Sequence, residues 1–191
     1  MIRLSILFLL TFLSFFSNAQ NIVCFGVNAG WRSNGPTLSY LFLKHFEEEI
    51  VTEWQYYNSF GIANFIKVYP FKKNLEKHTF FVGIGANHTF GTNFGTEYKN
   101  ETYKYRVNDI NYLIPKIGYT ANETIIKEKS YLKSVSFSIE LQYAFRVSKT
   151  NIVFLDKKQE NTDLTSRINR YYNNRGLGIN IQLKLGFGSK K

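Results

Sequence analysis

Cysteine and proline are scarce in this sequence, with 1 cysteine and 3 prolines among 191 residues. A single thiol excludes an internal disulfide framework and a cysteine-rich metal site. After residue 19 the chain also lacks any run of about 18 or more consecutive apolar residues, which excludes a conventional transmembrane helix there. Charged residues make up 20% and hydrophobic residues 44%, a balance that excludes an intrinsically disordered chain.

Aromatic side chains and positive charge are abundant. Aromatic residues reach 17%, with 18 Phe and 13 Tyr, and the formal net charge is +10. A basic chain can bind nucleic acid when its cations are gathered on one element. Here lysine and arginine are scattered along the whole sequence, so we expect no nucleic-acid partner.

The first nineteen residues have the pattern of a secretory signal peptide. Arg3 provides a short positive region, residues 4–16 form an apolar stretch, and Ser17-Asn18-Ala19 provides a small-residue cleavage site. We predict that residues 1–19 are removed on export. Residues 20–191 then form one domain, which agrees with the length of the chain.

The rest of the chain alternates between apolar and polar residues with a period of two, as β-strands with two different faces do. The alternation is nearly unbroken in 134–147 and returns in 177–187. In the first of these segments, one face contains Val135, Phe137, Ile139, Leu141, Tyr143, Phe145 and Val147. The opposite face is polar or small, and at about 3.3 Å per residue the strand is long enough to cross a bilayer.

The pattern predicts eight strands, at 21–32, 36–46, 49–57, 60–71, 78–90, 106–119, 131–147 and 175–188. Segment 36–46 also fits a short amphipathic helix, and Pro115 indicates a bulge or a strained position in its strand. The two longest connections, 91–105 and 148–174, would lie at the same rim, as they do in outer-membrane barrels. We therefore predict an all-β fold, an eight-stranded antiparallel up-and-down transmembrane β-barrel.

Four segments support a resemblance at this point: Asn64-Phe-Ile-Lys-Val-Tyr-Pro-Phe71, Phe81-Val-Gly-Ile-Gly85, Leu113-Ile-Pro-Lys-Ile-Gly-Tyr119 and residues 177–187. They resemble the small OmpA/OmpX-type outer-membrane β-barrel proteins of Gram-negative bacteria. The resemblance implies a location in the outer membrane, a monomeric barrel, and contact with the barrel insertion machinery. One departure is that Phe187 is followed by Gly-Ser-Lys-Lys, whereas such barrels usually end on the aromatic residue that this machinery reads.

Alternation alone does not decide which face points inward, because a lipocalin-like soluble barrel has the apolar face inside. Small residues on the polar face favour a narrow lumen, and aromatics near strand ends favour two girdles at the membrane interfaces. The girdle residues that we predict are Trp31, Trp54, Tyr56, Tyr69, Tyr119, Tyr131 and Phe187. A secreted or periplasmic lipocalin-like barrel that binds a small apolar ligand is the alternative.

The polar face also predicts a network of charges inside the lumen. Its predicted members are Arg32, Glu53, Glu140, Arg146 and Lys184, with Lys116 less clearly placed. Opposite charges in a narrow barrel are expected to pair, and Glu140 and Lys184 on neighbouring strands form the predicted pair. The network would seal the lumen, and a conductive or gated pore is the alternative.

No catalytic, cofactor or metal site is predicted. His45, His78 and His88 are far apart and lack the spacing of a zinc site. A lipid-modifying barrel enzyme with His88 as its base is a further alternative, although no serine is marked as its partner.

Cations in the predicted loops indicate contact with anionic lipid. Loop 148–174 contains Lys149, Lys157, Lys158, Arg167 and Arg170. Such cations suit the phosphates of lipopolysaccharide and other outer-membrane lipids, which are therefore the expected partners.

Overall fold

The structure is a computed structural model that describes residues 22–30, 34–42, 45–55, 59–70, 78–124, 131–149, 151–155, 162–172 and 176–188. The predicted signal peptide, 1–19, lies outside these residues. Among the described residues, no helix has the length and apolar character needed to cross a membrane.

Eleven strands and one helix are described. In chain order they are β1 (Ile22–Gly30), β2 (Asn34–Phe42), β3 (Phe46–Gln55), β4 (Ser59–Val68), β5 (His78–Thr89), β6 (Asn93–Tyr98), β7 (Glu101–Val107), β8 (Ile110–Thr124), β9 (Leu132–Arg146), β10 (Ile152–Phe154), α1 (Thr162–Tyr172) and β11 (Gly176–Phe187). Eight strands form a closed barrel in the order β1-β11-β9-β8-β5-β4-β3-β2, and every neighbouring pair is antiparallel. The predicted eight-stranded antiparallel up-and-down barrel is confirmed.

The structure decides between strand and helix for the second segment, and it moves the beginning of the third strand. Segment 34–42 is strand β2 and not a helix. Strand β3 begins at Phe46, where a turn at 47–48 was expected, and Glu47 pairs with Leu41 on β2. The run of three glutamates is polar like a turn, yet its alternation places Glu47 and Glu49 on the buried side of the wall.

Pro115 interrupts a ladder without producing a bulge. On β8 the pairs Leu113–Phe145 and Lys116–Gln142 keep one register with β9, and the two intervening pairs are missing. Proline has no amide hydrogen to donate, which accounts for the gap. The register irregularity of the barrel wall lies instead between Gly186 and Phe187 on β11.

The two predicted long connections contain regular structure that the sequence analysis did not identify. Segment 91–105 contributes β6 and most of β7, which pair as a hairpin, and β10 adds a third strand in the order β10-β7-β6. Lys99 and Asn100 connect the hairpin with φ angles of 51° and 62°, as a two-residue type I′ turn requires. Together with α1, this sheet is called the loop unit, and the rim that carries it is called the loop end of the barrel.

The barrel wall has polar residues inside and apolar residues outside. On β11 buried and exposed residues alternate throughout, with Asn180, Gln182 and Lys184 buried. The outward side chains are strongly exposed, for example Phe80 at 60% and Ile84 at 53%. This distribution is the reverse of a lipocalin-like barrel, whose apolar face lines the interior.

Candidate functional site

Six buried charges meet inside the barrel and form the most distinctive arrangement in the molecule. The members of this lumen charge cluster are Glu47, Glu49, Lys67, Lys116, Glu140 and Lys184. They come from strands β3, β4, β8, β9 and β11, so the cluster connects opposite sides of the barrel. Its three carboxylates balance its three ammonium groups, as a buried set of charges requires.

Glu49 is the centre of the cluster because it contacts all three lysines. Its Oε2 atom lies 2.7 Å from Nζ of Lys67 and also accepts a hydrogen bond from Lys184, while its Oε1 lies 3.1 Å from Nζ of Lys116. Gln182 donates from Nε2 to Oε1 of Glu49 at 3.2 Å. Every lone-pair region of this carboxylate therefore faces a donor, which is the condition under which a buried ion is tolerated.

Glu140 and Lys184 have different partners from those expected. Oxygen atoms of Glu140 lie 2.5 Å from Nζ of Lys67 and 2.9 Å from Nζ of Lys116. Lys184 binds Glu47 at 2.6 Å and also Glu49. The register explains the difference, since Glu140 is opposite Asn180 and Lys184 is opposite Ser136. Four residues along a strand separate the two charges by about 13 Å.

Two aromatic rings contact the ammonium groups of Lys67 and Lys116, and a glycine leaves room for the aliphatic parts of these side chains. Nζ of Lys116 lies 3.4 Å from the ring centre of Phe65, and Nζ of Lys67 lies 4.8 Å from that of Phe81, both within cation–π range. A Cβ atom added at Gly83 would come within 3.1 Å of Cγ of Lys116 and 3.3 Å of Cγ of Lys67. The absence of a side chain at Gly83 therefore allows both lysines to enter the centre.

The other predicted lumen charges lie apart from the cluster. Glu53 is buried and accepts a hydrogen bond from Nδ2 of Asn87. Arg146 is partly buried at the loop end of β9. Arg32 lies outside the described residues. The structure thus brings together Glu140, Lys184 and Lys116, and places Glu53 and Arg146 closer to the loop end.

Apolar side chains line much of the loop-end half of the lumen, beside buried polar residues such as Glu53 and Asn87, and continue into the loop unit. The barrel contributes Val51, Ala63, Phe65, Ile110, Tyr112, Ile114 and Ala144, β7 contributes Tyr103, Tyr105 and Val107, and α1 contributes Leu164 and Ile168. All of these residues are buried. The lumen is therefore occupied by a charged layer and an apolar layer, and the loop unit shares its core with the barrel.

Three residues outside the barrel attach α1 to the hairpin. The hydroxyl of Tyr98 donates to Oδ2 of Asp163, and the guanidinium of Arg167 lies 5.1 Å from the Tyr98 ring centre. The hydrogen bond from Tyr98 lowers the pKa of Asp163 below its ordinary value of 3.8, and the positive charges of Arg167 and Lys99 act in the same direction. Asp163 also lies in the first helical turn, where negative charge is favourable.

This contact predicts a pH-dependent attachment of the helix. Because the folded pKa of Asp163 is lowered, its stabilising contribution is present above pH 3.8 and is lost as the pH falls through the folded pKa. Hydrogen exchange of the α1 amides is expected to be protected equally at pH 7 and pH 5, and to lose protection below pH 3.8. Tyr98→Phe retains the ring beneath Arg167 and removes the hydroxyl, so it should reduce this pH dependence. An unchanged profile in Tyr98→Phe would contradict the assignment.

The predicted girdle residues occupy different positions. Trp54 and Tyr131 are exposed on the outside at 58% and 62%, and Phe187 packs edge-on against Phe25. The Tyr119 ring contacts Phe80, with centres 5.1 Å apart. Trp54 and Phe187 lie at the ends of β3 and β11, Tyr131 directly precedes β9, and Tyr119 lies five residues before the end of β8.

Tyr69 is a correction to the predicted girdle, while Trp31 and Tyr56 lie outside the described residues. Tyr69 is 4% exposed and donates its hydroxyl to Glu47 at the border of the charge cluster. The alternation of β4 explains this, because Phe65 and Lys67 point inward and a residue two positions further keeps the same side.

His88 lies on the outside near the loop end. Its Nδ1 is 2.8 Å from Oδ1 of Asn111, and its Nε2 is 3.5 Å from Oδ2 of Asp109. Nδ1 therefore faces an amide oxygen and Nε2 faces a carboxylate, so neither of these contacts is with a hydroxyl nucleophile. Within the described ranges, no group of three or more His, Cys, Asp or Glu residues is placed to hold a metal ion.

Glu47, Glu49 and Lys67 are the site residues that the sequence analysis missed. The alternation that was recognised at Glu53 extends back through Val51 to Glu49 and Glu47, so a signal was present. Segment 60–71 is apolar on both faces except at Asn64 and Lys67, and one lysine between apolar residues gave little indication of a buried charge.

The closed barrel, its filled lumen and its alternating wall define the class of protein: an eight-stranded antiparallel up-and-down β-barrel. The fold is similar to the crystal structure of the N-terminal β-barrel domain of Pseudomonas aeruginosa OprF, with a TM-score of 0.51 and 8% sequence identity. The similarity covers 88% of this chain and 98% of that one. No protein-family model and no curated protein matches the sequence.

Proposed function

We propose that this protein is a non-enzymatic barrel of the bacterial outer membrane that seals its own lumen and presents the loop unit at the cell surface. The single observation that supports the proposal most strongly is the inverted distribution of polarity. Among the described residues, seven charged side chains are buried inside, six of them in the lumen charge cluster, whereas outward residues such as Phe80, Ile84 and Ile179 are exposed at 60%, 53% and 52%. Such a surface suits hydrocarbon and is unfavourable in water.

The content of the lumen supports a structural role. A pore needs a continuous water-filled path, while here the charge cluster and the apolar layer occupy the interior of a narrow barrel. The alternative of a soluble barrel for a small apolar ligand receives no support, because the inward face carries charges where such a ligand would need apolar contacts.

The contact of loop and barrel supports a surface-exposed loop unit. Val107 and Ile110 are buried in the same apolar cluster as Leu164, so both long connections are held above one end of the barrel. Loops that leave the same end of an outer-membrane barrel and are longer than the opposite turns face the exterior.

Fractionation and surface labelling together test this proposal. The protein is expected in the outer-membrane fraction, to require detergent for release, and to migrate differently on gels before and after boiling. An epitope inserted at the Lys99–Asn100 turn should be labelled on intact cells, because that turn is the exposed tip of the hairpin.

An epitope at the opposite rim, following Tyr131, is the matched control and should be labelled only after lysis. Recovery of the protein in the soluble periplasmic fraction without detergent would contradict the membrane location. Equal labelling of both epitopes on intact cells would contradict the orientation.

A further inference from the structure

We infer that the outer face of the loop-unit sheet is a docking surface for the phosphorylated headgroups of the surrounding lipid. This inference rests on the outer-membrane location proposed above. The face is formed by Lys104 and Arg106 on β7, with Val153 and Leu155 beside them, and is called the basic face. All four side chains are exposed.

Strand pairing places these four residues together. Arg106 is opposite Val153 on one side and Asn93 on the other, and the Leu155 amide donates to the Lys104 carbonyl at 2.8 Å. Lys104 and Arg106 are two positions apart on one strand and therefore point to the same side. Gly95 is opposite Lys104, and a Cβ atom there would have no atom within 4 Å, so the surface beside Lys104 is open.

The two sides of the sheet differ sharply. Tyr103, Tyr105 and Val107 point to the other side, where they are buried in the core that the loop unit shares with the barrel. Since that core is continuous with the lumen, the basic face points away from the barrel axis. It therefore faces the same way as the apolar outer wall below it.

The charges of the hairpin are ordered along its length. Arg106 and Lys104 are nearest to the barrel, while Glu97, Lys99 and Glu101 lie at or next to the turn at the tip and sum to one negative charge. Among the described residues, no acidic side chain forms an ion pair with Lys104 or Arg106. Two unpaired cations close to the membrane and a net negative charge at the tip match an anionic lipid surface.

The height of Arg106, the cation of the basic face nearest to the barrel, agrees with a headgroup layer. The outer wall ends near Val147, which is 66% exposed and whose amide donates to the Asn111 carbonyl at 2.9 Å. Arg106 is five residues from Asn111, so it lies about 12 Å higher for tilted strands of about 3.3 Å per residue. Headgroups extend about 5–8 Å beyond the hydrocarbon, and a long arginine side chain reaches back across the remaining gap.

Hydrogen bonds at the base hold the loop unit in a fixed orientation. Asn108 donates from Nδ2 to the Lys149 carbonyl at 3.3 Å and accepts from the Asn151 amide at 2.5 Å. Asp109 accepts from the Gly91 amide at 2.9 Å. These hydrogen bonds join the two long connections where they leave the barrel. The basic face therefore has a fixed orientation before lipid binds.

The composition of the face specifies a lipid surface over other anions. Guanidinium and ammonium groups bind phosphate oxygens, the first of them in a bidentate manner. Two exposed aliphatic side chains next to them favour an amphipathic partner, since a free phosphate ion offers nothing for Val153 and Leu155 to contact.

Lipid retention by the reconstituted full chain tests this inference. The protein is inserted into vesicles of phosphatidylcholine mixed with phosphatidylglycerol, extracted gently, and the lipids that remain bound are counted by native mass spectrometry. Phosphatidylglycerol should be enriched in the wild type, and Lys104→Gln with Arg106→Gln should reduce the enrichment by about fivefold or more, the effect of removing at least one cation from the headgroup layer. Lys99→Gln, at the tip of the same hairpin, is the control and should have no effect.

Unchanged enrichment in the double variant, or an equal reduction in Lys99→Gln, would overturn the inference. Inorganic phosphate is added in a parallel series and should leave the enrichment unchanged, because loss of the lipid at low phosphate would indicate a site for free anions. Flotation of the wild type with the vesicles and its heat-dependent gel migration report on membrane insertion separately. A wild type that fails to float contradicts the proposed location, whereas a floating protein with unaffected lipid retention contradicts only the basic face.

Discussion

Glu49→Gln is expected to lower the free energy of unfolding of the barrel by about 3–5 kcal/mol, because it leaves three buried lysines with two carboxylates. Glu49 is completely buried and contacts Lys67, Lys116 and Lys184. The amide oxygen of glutamine can accept hydrogen bonds from these groups but cannot balance their charge. Urea unfolding of the protein in lipid vesicles, followed by tryptophan fluorescence, measures the change.

Two further variants separate loss of charge balance from loss of packing. Glu48→Gln alters the neighbouring carboxylate, which is bonded to Asn64 at 3.1 Å and lies outside the cluster, and should change the stability little. Adding Lys116→Met to Glu49→Gln restores equal numbers of charges and should recover much of the loss. If Glu49→Gln unfolds at the same urea concentration as the wild type, the cluster is not a balanced unit.

The second large effect is expected on the outer wall, where Ile181→Arg should cost about 2–4 kcal/mol in a bilayer. Ile181 lies near the middle of β11, is 46% exposed, and is flanked across the ladder by Ile139 and Ala29. An arginine there must place its guanidinium in hydrocarbon or distort the lipid around it. The measurement is the same urea titration in phosphatidylcholine vesicles.

Ser166→Arg provides a control, because Ser166 is exposed on α1 of the loop unit and lies outside the basic face. Its substitution should stay within about 0.5 kcal/mol of the wild type, as surface changes in water do. An equally small effect at Ile181 would mean that this wall does not face lipid.

The strands with clean alternation were the most predictable part of the molecule. In β9 and β11 the inward and outward sets differ at nearly every position, so their pattern alone defined the strands and their faces. Strand β3 was harder because Glu47, Glu48 and Glu49 are all polar, and burial separates them only after the barrel has closed. Local composition does not report a burial that neighbouring strands impose.

The partners within the lumen were not predictable for a geometric reason. Which charges meet depends on the stagger between strands and on the distance across the barrel. Neither quantity can be read from the sequence of one strand. Glu140 bonds to Lys67, which is 73 positions away in the chain, and its partner on the adjacent strand is Asn180. The loop unit shows the same dependence, since β7 and α1 become ordered elements by sharing Tyr103, Tyr105 and Leu164 in one core.

The pairing of the first strand with the last determines when the buried carboxylates of the lumen charge cluster gain their full set of lysine partners. Val23 is opposite Phe187, and Lys184 reaches Glu47 across 137 positions of sequence. Until β11 is in place, Glu47 and Glu49 lack one of their cations, so an unclosed sheet carries an excess of negative charge on its inner face. The pairing of β1 with β11 and the completion of the charge balance therefore occur together. A chain truncated before Lys184 can complete neither.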